Sequence, residues 1–419
     1  MKRKELLLVI ICWLTSYVTF SQETFKVMFY NVLNYPEQGP TSRINDLETI
    51  LQDYQPDLFM ICELNSEQGA NTILSILQNL KPDFARANFV LNTSDDAIGD
   101  QNNLQNMIFY DSSKFNLIDE DIVTTIFRDF NHYTFRLNTV NQATDPIILN
   151  TIVCHLKSSS GTDNQAFRLQ MVDDLTSYLD TFSSDELVLL GGDLNVYTQS
   201  EPAFQELIDP TNNITFVDPA NRLGTWSNNL VYLDVFTQST RTQSGLGGAA
   251  GGFDDRFDFI LTSENMLTDP DLYYVSNSYQ VYGNNGNNNC YNQAINSSNC
   301  SGPLFSDSIR DALHDMSDHL PVTAELQTNE QLLSQEEFAI NSSIKFIPGN
   351  LVNDKLRLEF SGSTRIDELW IFSVFGQEIY RQGIQGLNQI EIDVSNWSIG
   401  IYYIAFSDFR SEPLKFIKK

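Results

Sequence analysis

Six segments between residues 25 and 326 each set an apolar run against a carboxylate, an amide or an imidazole. They are residues 27–34 (VMFYNVLN), 57–65 (DLFMICELN), 152–158 (IVCHLKS), 189–197 (LLGGDLNVY), 256–263 (RFDFILTS) and 317–322 (SDHLPV). Six apolar runs of strand length lie at residues 26–30, 58–62, 107–110, 147–154, 187–190 and 257–261. Between them, residues 44–54 and 165–182 repeat apolar side chains at helical steps, with Leu169, Val172, Leu175 and Leu179 on one stripe. Strands alternating with helices predict an α/β domain, and folds of that class place their sites at strand ends.

Composition sets outer limits. The 419 residues are 42% hydrophobic and 12% aromatic, enough to bury a sizeable core. Asp and Glu outnumber Lys and Arg by 54 to 25, a net charge of −29, and no basic stripe offsets it. Holding nucleic acid by counterion release along a basic surface is thereby disfavoured. Cleaving a polyanion is still open, because a bound metal ion supplies local positive charge.

Singly, each polar residue has an ordinary explanation: Asn31 as a turn cap, Glu63 as a solvated strand end, Asp193 as a helix cap. Their ordered occurrence is specific. In sequence, residues 25–327 resemble the endonuclease/exonuclease/phosphatase family of magnesium-dependent phosphoesterases, most strongly through GGDLN at 191–195 and SDHLPV at 317–322. The resemblance implies a four-layer α/β sandwich of two mixed sheets with helices outside. It also implies Asn31, Glu63 and Asp318 as metal ligands, with Mg²⁺ the expected ion and Mn²⁺ or Ca²⁺ as substitutes; hard oxygen donors suit all three. Asp193 is expected to orient or deprotonate the attacking water, and Asn195 to hold a phosphate oxygen. His319, with Asp258 as its partner, is expected to contact the scissile phosphate. His155 matches a second histidine, used by some members toward the leaving oxygen. Nuclease members support that histidine with a carboxylate or amide before the third strand; Gln105 and Asn106 occupy this region. Gly191 and Gly192 are expected to allow close backbone approach, and Arg128 or Arg136 either to reach a substrate phosphate or to form a surface ion pair. Phosphodiester hydrolysis needs charge neutralisation, an oriented water and help for the leaving oxygen, and this set covers all three. The leading expectation is an extracellular nuclease acting on DNA or RNA. A phosphatase, a lipid phosphodiesterase, or an inactive surface-binding protein that keeps the fold are the alternatives.

The remaining segments bear on export. Residues 1–22 hold Lys2, Arg3 and Lys4 ahead of an apolar run and small residues, the pattern of a cleaved secretory signal. No later run is long enough to span a membrane. A disulfide between Cys290 and Cys300 is expected in an exported chain, with Cys62 and Cys154 as core residues. Residues 245–252 (GLGGAAGG) and the Asn-rich 284–301 read as mobile surface loops. Residues 328–338 read as a polar linker. From 339 to 419, short alternating strands predict a small β-sandwich. It resembles the C-terminal sorting domain of the type IX secretion system of Bacteroidetes, on IDELWIFSVFGQEI at 366–379, on IEIDVSNWSIG at 390–400 and on PLKFIKK at 413–419. That resemblance implies the type IX machinery as a partner, and a secreted or cell-surface protein exported through the periplasm of a Gram-negative bacterium.

Overall fold

The computed structural model describes residues 22–95, 103–333, 344–360, 367–407 and 413–419. The expected export signal, apart from Gln22, lies outside the described residues, as do 334–338 of the expected linker.

The main unit runs through β1 (Glu23–Tyr35), α1 (Arg43–Tyr54), β2 (Leu58–Leu64), α2 (Glu67–Leu80), β3 (Phe84–Arg86), β4 (Gln105–Asp111), β5 (Phe115–Val123) and β6 (Phe130–Leu137). It continues with β7 (Ile148–His155), α3 (Thr162–Leu179), β8 (Leu187–Asp193), α4 (Pro202–Leu207), β9 (Phe216–Val217) and β10 (Asp258–Ser263). Last come β11 (Leu272–Tyr274), β12 (Gln280–Val281), α5 (Asp307–Met316) and β13 (Val322–Thr328). One sheet has the order β11-β13-β1-β2-β4-β3, with β12 also on β13; the other has the order β5-β6-β7-β8-β10-β9. Both are mixed. β1 and β2 are parallel across the α1 crossover, and β7 and β8 across α3.

The layers follow from side-chain parity. Phe29 and Met60 of the first sheet meet Gly191 of the second, and Leu149, Val153, Leu189 and Ile260 join the core between the sheets. The alternate residues Ile152, Cys154, Val188, Leu190, Phe259 and Leu261 face outward, onto Met171, Val172 and Leu175 of α3 and Phe204 of α4. Helices α1, α2 and α5 bury Leu47, Ile73 and Leu313 in the core shared with the first sheet. The result is the expected four-layer sandwich.

Two stretches expected to be mobile are built in. The Asn-rich segment buries Ile295 completely, and Cys290 and Cys300 are disulfide-bonded. Its amides stand in for a regular ladder: Asn284 donates to the Leu233 carbonyl, and Asn285 to those of Cys300 and Phe305. Residues 245–252 are fastened through the Ala249 N–H and the N–H groups of Gly251 and Gly252, which donate to Asp318 and to the Arg241 carbonyl. Beyond β13 the chain returns along the main unit. Thr139 bridges Leu332, and the Leu333 N–H donates to the Asn138 carbonyl.

The C-terminal residues form a second core. β14 (Ile344–Phe346), β16 (Lys355–Phe360) and β19 (Gln389–Asp393) make one sheet. β15 (Leu351–Val352), β17 (Glu368–Ser373), β18 (Glu378–Gly383), β20 (Gly400–Phe406) and β21 (Leu414–Lys418) make the other. Leu356, Leu358, Ile371, Ile390 and Ile404 pack between them, with Tyr402 buried and Trp397 partly so. This is the small all-β unit that strict alternation predicted.

Candidate active site

The eight expected site residues gather at one end of the sandwich. Register alone aligns three of them. His155 pairs with Asp193 across β7 and β8, and Asp193 pairs with Asp258 across β8 and β10. Asn31 comes from β1 of the facing sheet. Glu63 arrives less directly. Met60 faces inward, so strand alternation would turn Glu63 toward the helices. A register shift in β2 and a left-handed backbone at Glu63 (φ 61°) bring it back to the site. Leu33 (46°), Asn34 (47°) and Asn195 (52°) share that sparsely populated conformation.

Asn31 is the hub. Its Nδ2 donates to Glu63 Oε1 (2.9 Å) and Asp193 Oδ2 (3.1 Å), while its Oδ1 accepts from the Leu33 N–H (3.0 Å). Glu63 Oε2 accepts from the Asn34 N–H (3.0 Å), and Asp193 Oδ1 from the Asn195 N–H (3.1 Å). His155 Nε2 stands 3.6 Å from Asp193 Oδ2 and 3.9 Å from Glu63 Oε1. His319 Nδ1 bonds Asp258 Oδ2 at 2.7 Å, and its Nε2 lies 3.8 Å from Asp193 Oδ2. The SDH turn is tied to β1 by Ser317, whose hydroxyl donates to the Asn31 carbonyl and accepts from the His319 N–H.

Burial divides the two histidines. His155 is held well below the ordinary imidazole range by burial, with Arg128, His319 and Lys157 adding to the effect. Burial pulls His319 down as well, but Asp258, Asp318 and Asp193 override it and hold the ring well above that range. Burial pushes the Asp193 carboxyl up to about 7, with Asp258 and Glu63 reinforcing and His319 and Asn31 opposing. Glu63 is raised by burial and by Asp318. The surroundings thus push the two rings in opposite directions, His155 away from a second proton and His319 toward one.

The donor set fits a divalent cation. Glu63, His155 and Asp193 bring ligand atoms within 4.8 Å of one another, as do Asp193, Asp258 and His319. Asp258 Oδ1, Asp318 Oδ1 and His155 Nδ1 are buried without hydrogen-bond partners, which is costly unless a further group satisfies them. Of the expected ligands, Asn31 and Glu63 are bonded to each other. Asp318 Oδ2 instead accepts from the Ala249 N–H (2.6 Å) and Gln238 Nε2 (3.1 Å).

Gln238 is a contact that sequence reasoning missed. Its amide nitrogen lies 2.6 Å from His319 Nε2 while it also serves Asp318. An amide N–H suits a neutral ring, whereas an imidazolium there demands the amide oxygen. Gln238 sits in no apolar run and ends no regular strand, so nothing in its neighbourhood marks it.

The two arginines expected near a phosphate are placed otherwise. Arg128 is buried, and its Nε donates to the His155 carbonyl at 2.7 Å, so it positions that histidine's backbone. Arg136 pairs in register with Ile148, at the end of β7 opposite His155. Gly191 and Gly192 provide room rather than unusual backbone angles. A Cβ on Gly191 would stand 2.5 Å from Met60 Cε, and one on Gly192 would stand 2.2 Å from Cys154 Sγ. The remaining histidines lie apart: His132 bonds Tyr178 and Asn150, and His314 pairs with Asp315 on α5.

Comparison with known proteins adds the following. Residues 350–419 match the family model of the secretion system C-terminal sorting domain, so the C-terminal unit is a domain of that kind. No curated protein matches the chain in sequence. Among solved structures, the fold is similar to the human nocturnin catalytic domain (14% identity, 73% of this chain and 97% of that one, TM-score 0.45). It is similar also to an endonuclease/exonuclease/phosphatase family protein from Bacteroides thetaiotaomicron (14% identity, 74% and 99%, TM-score 0.44). A third is D. rerio TDP2 complexed with a single-strand DNA product (16% identity, 73% and 99%, TM-score 0.44). No helix among the described residues is long and apolar enough to cross a membrane.

Proposed function

We propose that this chain is an exported phosphoesterase that works with a divalent cation, Mg²⁺ in the first instance and Mn²⁺ or Ca²⁺ in its place. The observation that carries the reading is the convergence of Asn31, Glu63, His155, Asp193, Asn195, Asp258 and His319 from both sheets. A cation held by Glu63, with Asn31 and Asp318 as its other expected ligands, supplies charge neutralisation at a phosphate oxygen. The imidazolium of His319, fixed by Asp258, is a positive donor for charge that develops on the phosphoryl group. Asp193, with its carboxyl near neutrality, accepts a proton from the attacking water. Asn195 offers an amide to a phosphate oxygen, and neutral His155 lies beside Asp193 to serve the leaving oxygen.

The sorting domain supports delivery by a type IX secretion machinery to the cell surface or beyond. By sequence resemblance alone the first candidate is a nuclease that releases nucleotides or phosphate from DNA or RNA, a candidate that the charge distribution of the main unit counts against. A phosphatase or lipid phosphodiesterase uses the same residues. Hydrolysis of bis(p-nitrophenyl) phosphate, with Mg²⁺ and with EDTA, tests the shared chemistry. Chelation should abolish turnover, and Glu63→Gln and His319→Asn should each lower kcat/KM by about 100-fold or more. Variants as active as the parent would show that the site is elsewhere.

A further inference from the structure

Between Gln22 and Leu333 the chain has thirteen Lys and Arg against forty-two Asp and Glu. The residues from Ile344 onward balance, so the whole net charge of −29 belongs to the unit that bears the site, together with the short segments flanking it. All thirteen are buried or half-buried. Six are buried: Arg43, Arg128, Arg168, Arg241, Arg256 and Arg310. They hold the molecule's own acceptors. Arg43 bonds the Val32, Gln38 and Met316 carbonyls, and Arg241 those of His314, Asp315 and Gly247. Arg310 bonds Ile295 and Ser297, Arg168 pairs with Glu201, and Arg256 with Asp218. The half-buried ones are committed too. Lys81, Arg86, Lys114 and Arg222 are paired with carboxylates, and Lys26 donates to the Tyr54 carbonyl. Arg136 lies at the far end of β6. Lys157, next to the site, donates to the Ser158 carbonyl and covers the Phe127 ring.

This distribution bears on the substrate. A duplex carries about one negative charge per 1.7 Å, and proteins hold it by setting several Lys or Arg against successive phosphates. Single strands are tracked by a positively charged groove as well. Here a polymer's flanking phosphates would meet a surface rich in carboxylates, with no exposed cation on that unit to replace their counterions. One phosphate fares differently, because the His319 ring, fixed by Asp258 at 2.7 Å, and a cation bound at Glu63 would face it inside the site. On the phosphoesterase reading above, we infer that the substrate is a compact phosphate ester recognised at a single phosphate group, and not a DNA or RNA chain.

Two measurements on the full mature chain test this. The first compares kcat/KM, with Mg²⁺, for p-nitrophenyl phosphate and bis(p-nitrophenyl) phosphate against per-bond cleavage of a single-stranded DNA, a single-stranded RNA and a plasmid. The better compact ester should exceed every polymer by about tenfold or more. Its rate should change less than about threefold between roughly 50 and 200 mM salt, where a protein contacting many phosphates loses 10³ or more in affinity. The second follows the fluorescence anisotropy of a labelled oligonucleotide with the Asp193→Asn variant, which should bind more weakly than about 10⁻⁴ M at physiological salt. Preference for a polymer, or micromolar oligonucleotide binding with a steep salt slope, overturns the inference and leaves the phosphoesterase reading standing. Failure to hydrolyse any ester with Mg²⁺, Mn²⁺ or Ca²⁺ overturns both.

Discussion

At the scale of single residues, a polar side chain at a strand end can belong to the reaction or to the scaffold, and its partners separate the two. His132 shows the second case. Its Nδ1 meets the Tyr178 hydroxyl at 2.9 Å, its Nε2 meets Asn150 Oδ1 at 2.9 Å, and Tyr178 in turn donates to Asp121. Burial lowers its affinity for a proton, although Asn150, Asp121, Asp119 and Glu186 pull the other way. An unfolded histidine titrates near pH 6.5. Below that pH the unfolded chain binds a proton that folded His132 still refuses, so stability falls with pH until the lower folded value is passed. Denaturant unfolding at about pH 7.5 and about pH 5.5 should show the parent losing more stability than His132→Gln. Equal losses would mean that His132 takes no part. The same test of partners explains what the sequence could tell. Asp193, Asp258, His155 and Glu63 were all legible through the motifs; strand register aligns the first three, whereas the strand parity of Glu63 points the wrong way. Gln238 was not legible, because its place beside His319 depends on folding of the segment between β9 and β10.

Among elements, regular periodicity was the readable signal and irregular segments were the unreadable one. α1 and α3 begin within a few residues of the expected starts, and the six apolar runs became β1, β2, β4, β7, β8 and β10. The two polar loops misled because low complexity hides side-chain bonding. Asn supplies amide donors that tie a loop as a ladder would, and Gly allows backbone N–H groups to reach a carboxylate. The glycine-rich run is the instructive case. Gly248 lies so near Asp318 that a Cβ there would be 2.5 Å from its carboxyl carbon, and the Ala249 N–H donates to the same group. Asp318 thus anchors this loop as well as facing the site. Asp318→Ala should speed hydrogen exchange of the Ala249 amide and make residues 244–251 more sensitive to proteolysis, while amides in β7 and β8 keep their protection. Exchange at Ala249 as slow as in the parent would mean that the loop is held by the Arg241 carbonyl and by the Ser239 hydroxyl, which donates to the Ala249 carbonyl at 2.9 Å.

For the molecule as a whole, the two units differ in charge and have separate cores, and the question is where the first one ends. Composition placed the boundary after residue 327, where polar residues begin. The packing carries the main unit further. Thr328 pairs with both Glu23 and Leu272, and its hydroxyl accepts from the Glu330 N–H. The Val140 N–H then donates to the Gln331 carbonyl, Leu332 bridges Thr139, and Leu333 is buried. Composition could not show this, because Leu332 and Leu333 are only two apolar residues in a polar run. Burying one leucine side chain contributes about 1.5–3 kcal/mol, and the added backbone bonds contribute about 1 kcal/mol each. A fragment of residues 22–333 should therefore melt close to the full mature chain's main transition. A fragment of residues 22–327 should be less stable by at least about 2 kcal/mol, a Tm lower by roughly 4 °C or more. Equal melting of the two fragments would show that 328–333 rests on the surface without supporting it, and would return the boundary to residue 327.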